Sequence, residues 1–411
     1  MLFRSLAVAA SGVVLASAVD PIDVAAICDV PGAITIGSGS GDAFADLDAA
    51  WISQSWPEGT VFLLRDETHW IASAITLNVP GVKICGTSRT GTILKAEGAT
   101  HAFELMADNI GFHRLTISHR NYLNTGKAAI GGDLNDRLIK NFQMSQVDFE
   151  ISQQYGMTLY AENARIEDNL FLSTSTFFSS SMGVVIALTG SLGDNRIVNN
   201  RFASEILPTS QVEFVRVYSP SSFTQTYVKG SLTVNGNEHI TSDSQPGFGA
   251  FMQFLNMRMF RVESATDRIS LVVENNVVPA GKGFVFIITT NDDEGLILDG
   301  ITLGGNQVSE YDKKCLVTLF KAMAGTFRTG SDLSLALTAP NTILDTSGNP
   351  AALQDVNGDF FECTGSMDAS VCRYKELTPA STIVHLVNLN GAASGSFIAA
   401  LAALAIAIIA H

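Results

Sequence analysis

Positive charge is scarce in this chain of 411 residues. Lys and Arg total 25 against 40 Asp and Glu, for a net charge of −15. Such a balance repels polyanions, so nucleic acid is not an expected partner. No run of like charge is long enough to mark a disordered tail. The five cysteines stand at no zinc-site spacing, and neither a phosphate loop nor a Gly-x-Ser-x-Gly elbow occurs. The chain is rich in Asn yet holds no Asn-x-Ser/Thr acceptor for an N-linked sugar. Helical periodicity is confined to residues 40–54, where Phe44, Leu47 and Trp51 fall at i, i+3 and i+7 behind Ser40 and Asp42 as candidate caps.

What the chain does have is a recurring phrase: apolar, any, any, Asn, any, apolar. Copies run from Ile166 to Phe171 (Asn169), Ile197 to Phe202 (Asn200), Val273 to Val278 (Asn276) and Leu303 to Val308 (Asn306). Val234 to His239 carries Asn237, with a histidine in the last apolar slot. Two earlier copies are degenerate, with His113 in the Asn slot of Ile110–Leu115 and Val147 in that of Met144–Phe149. The slots are 34, 22, 31, 37, 39 and 30 residues apart. A quasi-period of this kind means stacked supersecondary units, none of which can bury its own apolar face. An Asn tolerates left-handed backbone at a bend, and its amide can bond the same amide one coil away, roughly 4.8 Å along the stack. The fold class is therefore all-β: a right-handed parallel β-helix with an N-terminal capping helix.

The ends read as targeting signals. Met1 to Arg4, the apolar run Leu6–Leu15 and Ala16-Ser17-Ala18 form a secretory signal peptide over residues 1–18. At the other end a small-residue segment from Asn390 precedes an apolar stretch from Phe397 to Ala410. Residues 391–411 then read as a GPI-attachment tail with Asn390 as the attachment residue, although the spacer is shorter than the usual ~8–12 residues. A short tail anchor is the rival reading. Between them, residues 19–390 make one elongated domain, with an N-terminal cap at about 35–60 and a loop-rich C-terminal cap at about 315–390. In an exported protein the cysteines should pair. Cys363 with Cys372 and Cys28 with Cys85 are the expected pairs, and Cys315 is left over.

Residues 41–110 resemble the opening of the pectin-lyase-like right-handed β-helix superfamily. The amphipathic helix, "GTVFLL", "ITLNVPGVKICGTSRTGTIL" and "FELMADNIGFHRLTI" follow in the order familiar there, and the later Asn-marked coils agree with it. The resemblance spans residues 35–320. It implies the fold, but no particular activity, since the superfamily holds lyases, hydrolases, epimerases, esterases and surface proteins without activity. A polygalacturonase-like site is excluded, because Asp292-Asp293 is the only Asp pair and no His-Gly or Arg-Ile-Lys follows it.

With the copies in register, the residue after each Asn slot lies on the outer face of one sheet. That column reads Arg114, Asp148, Leu170, Arg201, Glu238, Val277, Gln307, and Glu150 stands two positions beyond Asp148. Arg114, Asp148 and Glu150 are the candidate catalytic group. An arginine base beside Asp148 and Glu150 as calcium ligands is what β-elimination or epimerisation next to a uronate would use. A salt bridge between stacked strands is the plainer reading of the same residues. For ligand binding, Phe177 and Phe178 offer flat rings to a sugar face, and Arg201 and Glu238 offer charges in the outer column. Two functions follow. One is a cell-surface β-helix that binds glycan or a surface partner, lipid-anchored and without catalysis. The other is a calcium-dependent polysaccharide lyase or uronan epimerase.

Overall fold

A computed structural model describes residues 20–97, 101–120, 128–132, 137–151, 155–173, 183–204, 212–218, 227–240, 248–256, 268–278, 284–289 and 298–309, and short segments beyond them to Asn388. Ala18, Phe177, Phe178, Asn390 and the apolar tail lie outside the described residues.

Each coil contributes one short strand to each of three parallel sheets, as a parallel β-helix requires. The first sheet begins Ile34–Ile36, Val61–Leu64, Lys83–Gly86 and continues through the opening residues of Gly111–Arg120 and Gln143–Ile151 to Arg165–Glu167. It then takes the end of Gly183–Val198, followed by Val228–Asn235, Ile269–Glu274, Leu298–Gly304 and Ser334–Leu337. The second sheet begins Thr68–Ile71 and Ile93–Glu97 and uses the later residues of Gly111–Arg120 and Gln143–Ile151. Leu170–Ser173, Arg201–Ser204, Glu238–Ile240, Val277–Val278, Gln307–Ser309 and Thr342–Leu344 extend it. The third sheet runs from Ile75–Leu77 and Phe103–Leu105 through Ala128–Gly132, Tyr155–Glu162 and Val212–Val217 to Val317–Lys321 and Val384–Asn388. Among the described residues the pairings turn antiparallel only near the C-terminus, where Phe361–Thr364 sets the Cys363 backbone opposite that of Cys372.

Alternation supplies the core. In Val61–Leu64, Phe62 and Leu64 point inward, and in Ile93–Glu97, Leu94 and Ala96 do. Phe149, Phe171, Phe214, Phe202, Phe251 and Phe284 stack through the interior with ring centroids 4.1–5.9 Å apart. His239, in its apolar slot, lies 4.9 Å from the Phe202 ring and nearly parallel to it.

The Asn slots form a continuous ladder. Nδ2 of Asn169 donates to Oδ1 of Asn200 at 2.9 Å, Asn200 to Asn237 and Asn237 to Asn276 at 3.0 Å, and Asn276 to Asn306 at 3.0 Å. A fifth bond, Asn306 to Asn341 at 2.8 Å, lies beyond the last copy of the phrase, because Thr338 replaces its first apolar residue. Asn200, Asn237, Asn276 and Asn306 each also accept the backbone N–H of the preceding Asn and donate to the carbonyl three residues before that Asn, whereas Asn341 donates to Ala339 O.

Two details differ from the sequence reading. The left-handed residue is the one before the ladder Asn: Asp168, Asn199, Gly236, Asn275 and Gly305 have φ of 54–67°. These are the residue types for which that conformation costs least. Earlier in the chain the slot is filled by Leu115 and Val147, since Leu115 pairs with Val147, and Asp148 pairs with Leu170. His113 pairs with Ser145 instead. Arg114, at φ 55°, therefore occupies the bend.

The capping helix is Leu47–Ser53, shorter than residues 40–54. Asp46 caps it by accepting from Ala49 N, while Asp42 is spent on Arg65 and Gly39 N. Phe44 is drawn into a bridge with Ile36, and Trp56 packs edge-on against both Phe44 and Phe62 to close the end of the stack. A second short helix, Val24–Cys28, lies outside the solenoid, and Cys28 is bonded to Cys85 with Cα atoms 5.7 Å apart.

Candidate functional site

The outward face of the second sheet carries the polar residues that sequence placed there, in a different company. Asp148 and Glu150 alternate with the inward Val147, Phe149 and Ile151, so both carboxylates face outward. Asp148 is held by Arg89, whose Nε donates to Oδ1 at 2.6 Å, and Nη1 of Arg89 lies 3.8 Å from Asp168. Thr116 Oγ1 fixes the loop that carries Arg89 by donating to its carbonyl. Arg114 is elsewhere. From the bend it donates Nε to Gly86 O at 2.8 Å and takes both oxygens of Asp29 in a bidentate pair. That guanidinium holds the Asp29 carboxyl below the ordinary aspartate range, through the hydrogen bond first and charge second. The register thus does not bring Arg114 to Asp148 and Glu150.

Glu150 belongs to a row that crosses four coils. Trp70 pairs with Lys95, Lys95 with Ser118, and Ser118 with Glu150, each one strand spacing further along the axis. Trp70 is 53% exposed on an ordered strand whose His69 and Ile71 are buried. Lys95 Nζ stands 4.5 Å from the centre of the indole, and Glu97 holds Lys95 at 3.6 Å. The cation braces one face of the ring, so the exposed surface belongs to the rest of the indole. Trp70 is not among the residues singled out from the sequence. The alternation Thr68-His69-Trp70-Ile71 was the available signal.

Further along the same sheet Arg201 and Glu238 face each other on paired strands, Nε to Oε2 3.0 Å. Both side chains are about half exposed, 59% and 49%, so the pair contributes little to stability. For calcium the fit is poor. Asp148 already carries a guanidinium, and among the described residues no three His, Cys, Asp or Glu side chains converge on one point.

A second polar group lies on the outward face of the third sheet. Arg216 Nε donates to Glu213 Oε2 at 2.7 Å with side-chain exposures of 1% and 0%. Burial alone pulls the Arg216 pKa down, but Glu213, Tyr155 and Tyr218 outweigh it and hold the guanidinium charged. Tyr155 and Tyr218 stack at 6.4 Å beside it.

The fold defines the protein as a parallel β-helix. No family model and no curated protein matches the chain. Among solved structures, ORF18 of Geobacillus virus E2 is similar over 70% of this chain and 54% of its own, at 11% identity and a TM-score of 0.34. An alginate lyase, AlyF-OU02 in complex with G6, is similar over 70% of this chain and 62% of its own, at 13% identity and a TM-score of 0.39. The chain spans less than two thirds of either structure, and likeness of this order concerns the fold alone.

Proposed function

We propose that this protein is a surface-displayed β-helix that binds polysaccharide lengthwise along the outward face of its second sheet without cleaving it. The exposed Trp70 ring carries the reading. A flat aromatic surface on a rigid strand stacks on a pyranose face at small entropic cost. Lys95 and Glu150 follow it along the same row, with the buried Ser118 between them, and an extended polymer is the ligand that can span such a row. Binding is favoured over lyase or epimerase chemistry because the guanidinium nearest Asp148 is neutralised by that carboxylate, and Arg114 by Asp29. Secretion through residues 1–18 and lipid anchoring at Asn390 would place this face outside the cell.

The test uses the mature chain without the apolar tail, presented with neutral and uronate polysaccharides in calcium and in chelator. Trp70→Ala should weaken binding about thirtyfold, the cost of losing a stacked aromatic anchor of ~2 kcal/mol, with unfolding unchanged. Equal binding by wild type and variant refutes the site, and appearance of unsaturated sugar ends would replace binding by lyase activity. Release from cells by phosphatidylinositol-specific phospholipase C tests the anchor, and retention of an intact tail would refute it.

A further inference from the structure

The outward face of the first sheet is covered along its second to sixth coils. Residues Asp20–Asp29 cross it outside the solenoid. Arg165 Nη2 donates to Asp20 O at 2.6 Å, Ile22 N donates to Glu167 Oε2 at 3.3 Å, Cys28 is bonded to Cys85, and Asp29 takes Arg114. Val24 and Cys28 pack on Cys85, with Ile22, Ile27, Val61 and Leu63 around them. Beneath lies one outward row, Leu63, Cys85, His113, Ser145 and Glu167, each paired with the next. The last three are buried, His113 completely.

His113 is the anomaly of this row. Neither ring nitrogen has a hydrogen-bond partner. Its Nε2 lies over Gly111, where any Cβ would come within 2.5 Å of it. Lys83 approaches the same glycine, and its Nζ donates to Asn109 O at 2.7 Å and lies 3.5 Å from Gln143 Oε1. The groups facing His113 are thus Lys83 on one flanking strand, the disulfide, which does not titrate, and Ser145 and Gln143 on the other. Asp29 and Arg114 neutralise each other at the bend. None of these offers an imidazolium a counter-charge, while Lys83 opposes it.

We propose that Asp20–Asp29 is a strap hinged at the Cys28–Cys85 bond that lifts from the first sheet in mild acid and uncovers Lys83, His113, Ser145 and Glu167. The protonated ring cannot stay under the strap, so the proton is taken up on opening. Burial, and then the charge of Lys83, hold the closed-state pKa at about 3, against an ordinary histidine value near 6.5. The sign follows from that depression. Above about pH 6.5 neither state binds the His113 proton, so this ring does not favour opening there. Below it only the open state does, so the open fraction rises about tenfold per pH unit until the pH nears 3. Burial lowers Lys83 to about 8, so it is charged in both states through this window and adds no slope. Asp29 likewise stays ionised above its depressed pKa.

Hydrogen exchange of the 20–29 amides in the mature chain, corrected for intrinsic rates between pH 7.5 and 4.5, tests this. Wild type should show opening that is flat above pH 6.5 and rises about tenfold per unit below it. His113→Leu should remove the slope. Ser145→Asp keeps the histidine but supplies a carboxylate opposite it, and should flatten the slope as well. A wild-type opening constant independent of pH refutes the strap, and so does a slope that survives in either folded variant.

Discussion

Replacing Asn237 by Leu tests the element on which the stack depends. The Asn237 side chain makes four hydrogen bonds. Nδ2 donates to Ile197 O at 2.9 Å and to Asn276 Oδ1 at 3.0 Å, and Oδ1 accepts from Asn200 N at 2.9 Å and Asn200 Nδ2 at 3.0 Å. Some partners keep an alternative. Asn200 Nδ2 still reaches Ile166 O, and Asn276 Oδ1 still accepts the backbone N–H of residue 237. The Asn200 N–H does not, and leaving it buried and unpaired costs about 1–3 kcal/mol. The bond lost at Ile197 O adds roughly 0.5–1.5 kcal/mol, so the expected net loss is about 2–4 kcal/mol. Urea unfolding of the mature chain measures it as a shift in midpoint at unchanged slope. Asn237→Asp separates hydrogen bonding from shape. It keeps the volume and the acceptor but sets a carboxylate against Asn276 Oδ1, and should be as damaging at pH 7. Its buried carboxyl has a raised pKa, so stability should return as the pH falls through that value. A loss below about 0.5 kcal/mol for both variants, within the range of ordinary surface substitutions, would show that the ladder does not hold the coils together.

Two further outcomes follow from the charged and covalent ties. Glu213→Ala leaves Arg216 charged and buried, and should cost about 3–5 kcal/mol in denaturant unfolding, whereas the double change Glu213→Leu with Arg216→Met should recover most of it; equal losses in both would refute the role of the pair. Cys28→Ser with Cys85→Ser opens a 57-residue span, for which chain entropy predicts a loss of about 4 kcal/mol, and the 20–29 amides should lose protection at neutral pH. Retained protection would mean that the polar ties alone hold the strap.

The ladder was legible in the sequence because both of its requirements are local. An Asn must stand between apolar residues of fixed parity, and the residue before it must tolerate the left-handed bend, as Asp168, Asn199, Gly236, Asn275 and Gly305 do. Where Asn is absent the pattern has two solutions. Sliding a strand by two residues keeps every side chain on its own face, so alternation cannot tell His113 from Leu115 as the occupant of the slot. Only the stacking of whole coils decided it, and with it that Arg114 turns to Asp29 while Arg89 reaches Asp148. The row Trp70, Lys95, Ser118, Glu150 was hidden for a related reason. Its members are neighbours across coils, and alignment between coils depends on how much chain each turn consumes. The strap lay furthest from view, since its bonds join residues 57 to 145 positions apart. Local propensity determines which residues bend and which alternate, but contacts across such separations form only once the solenoid has brought their partners to one face.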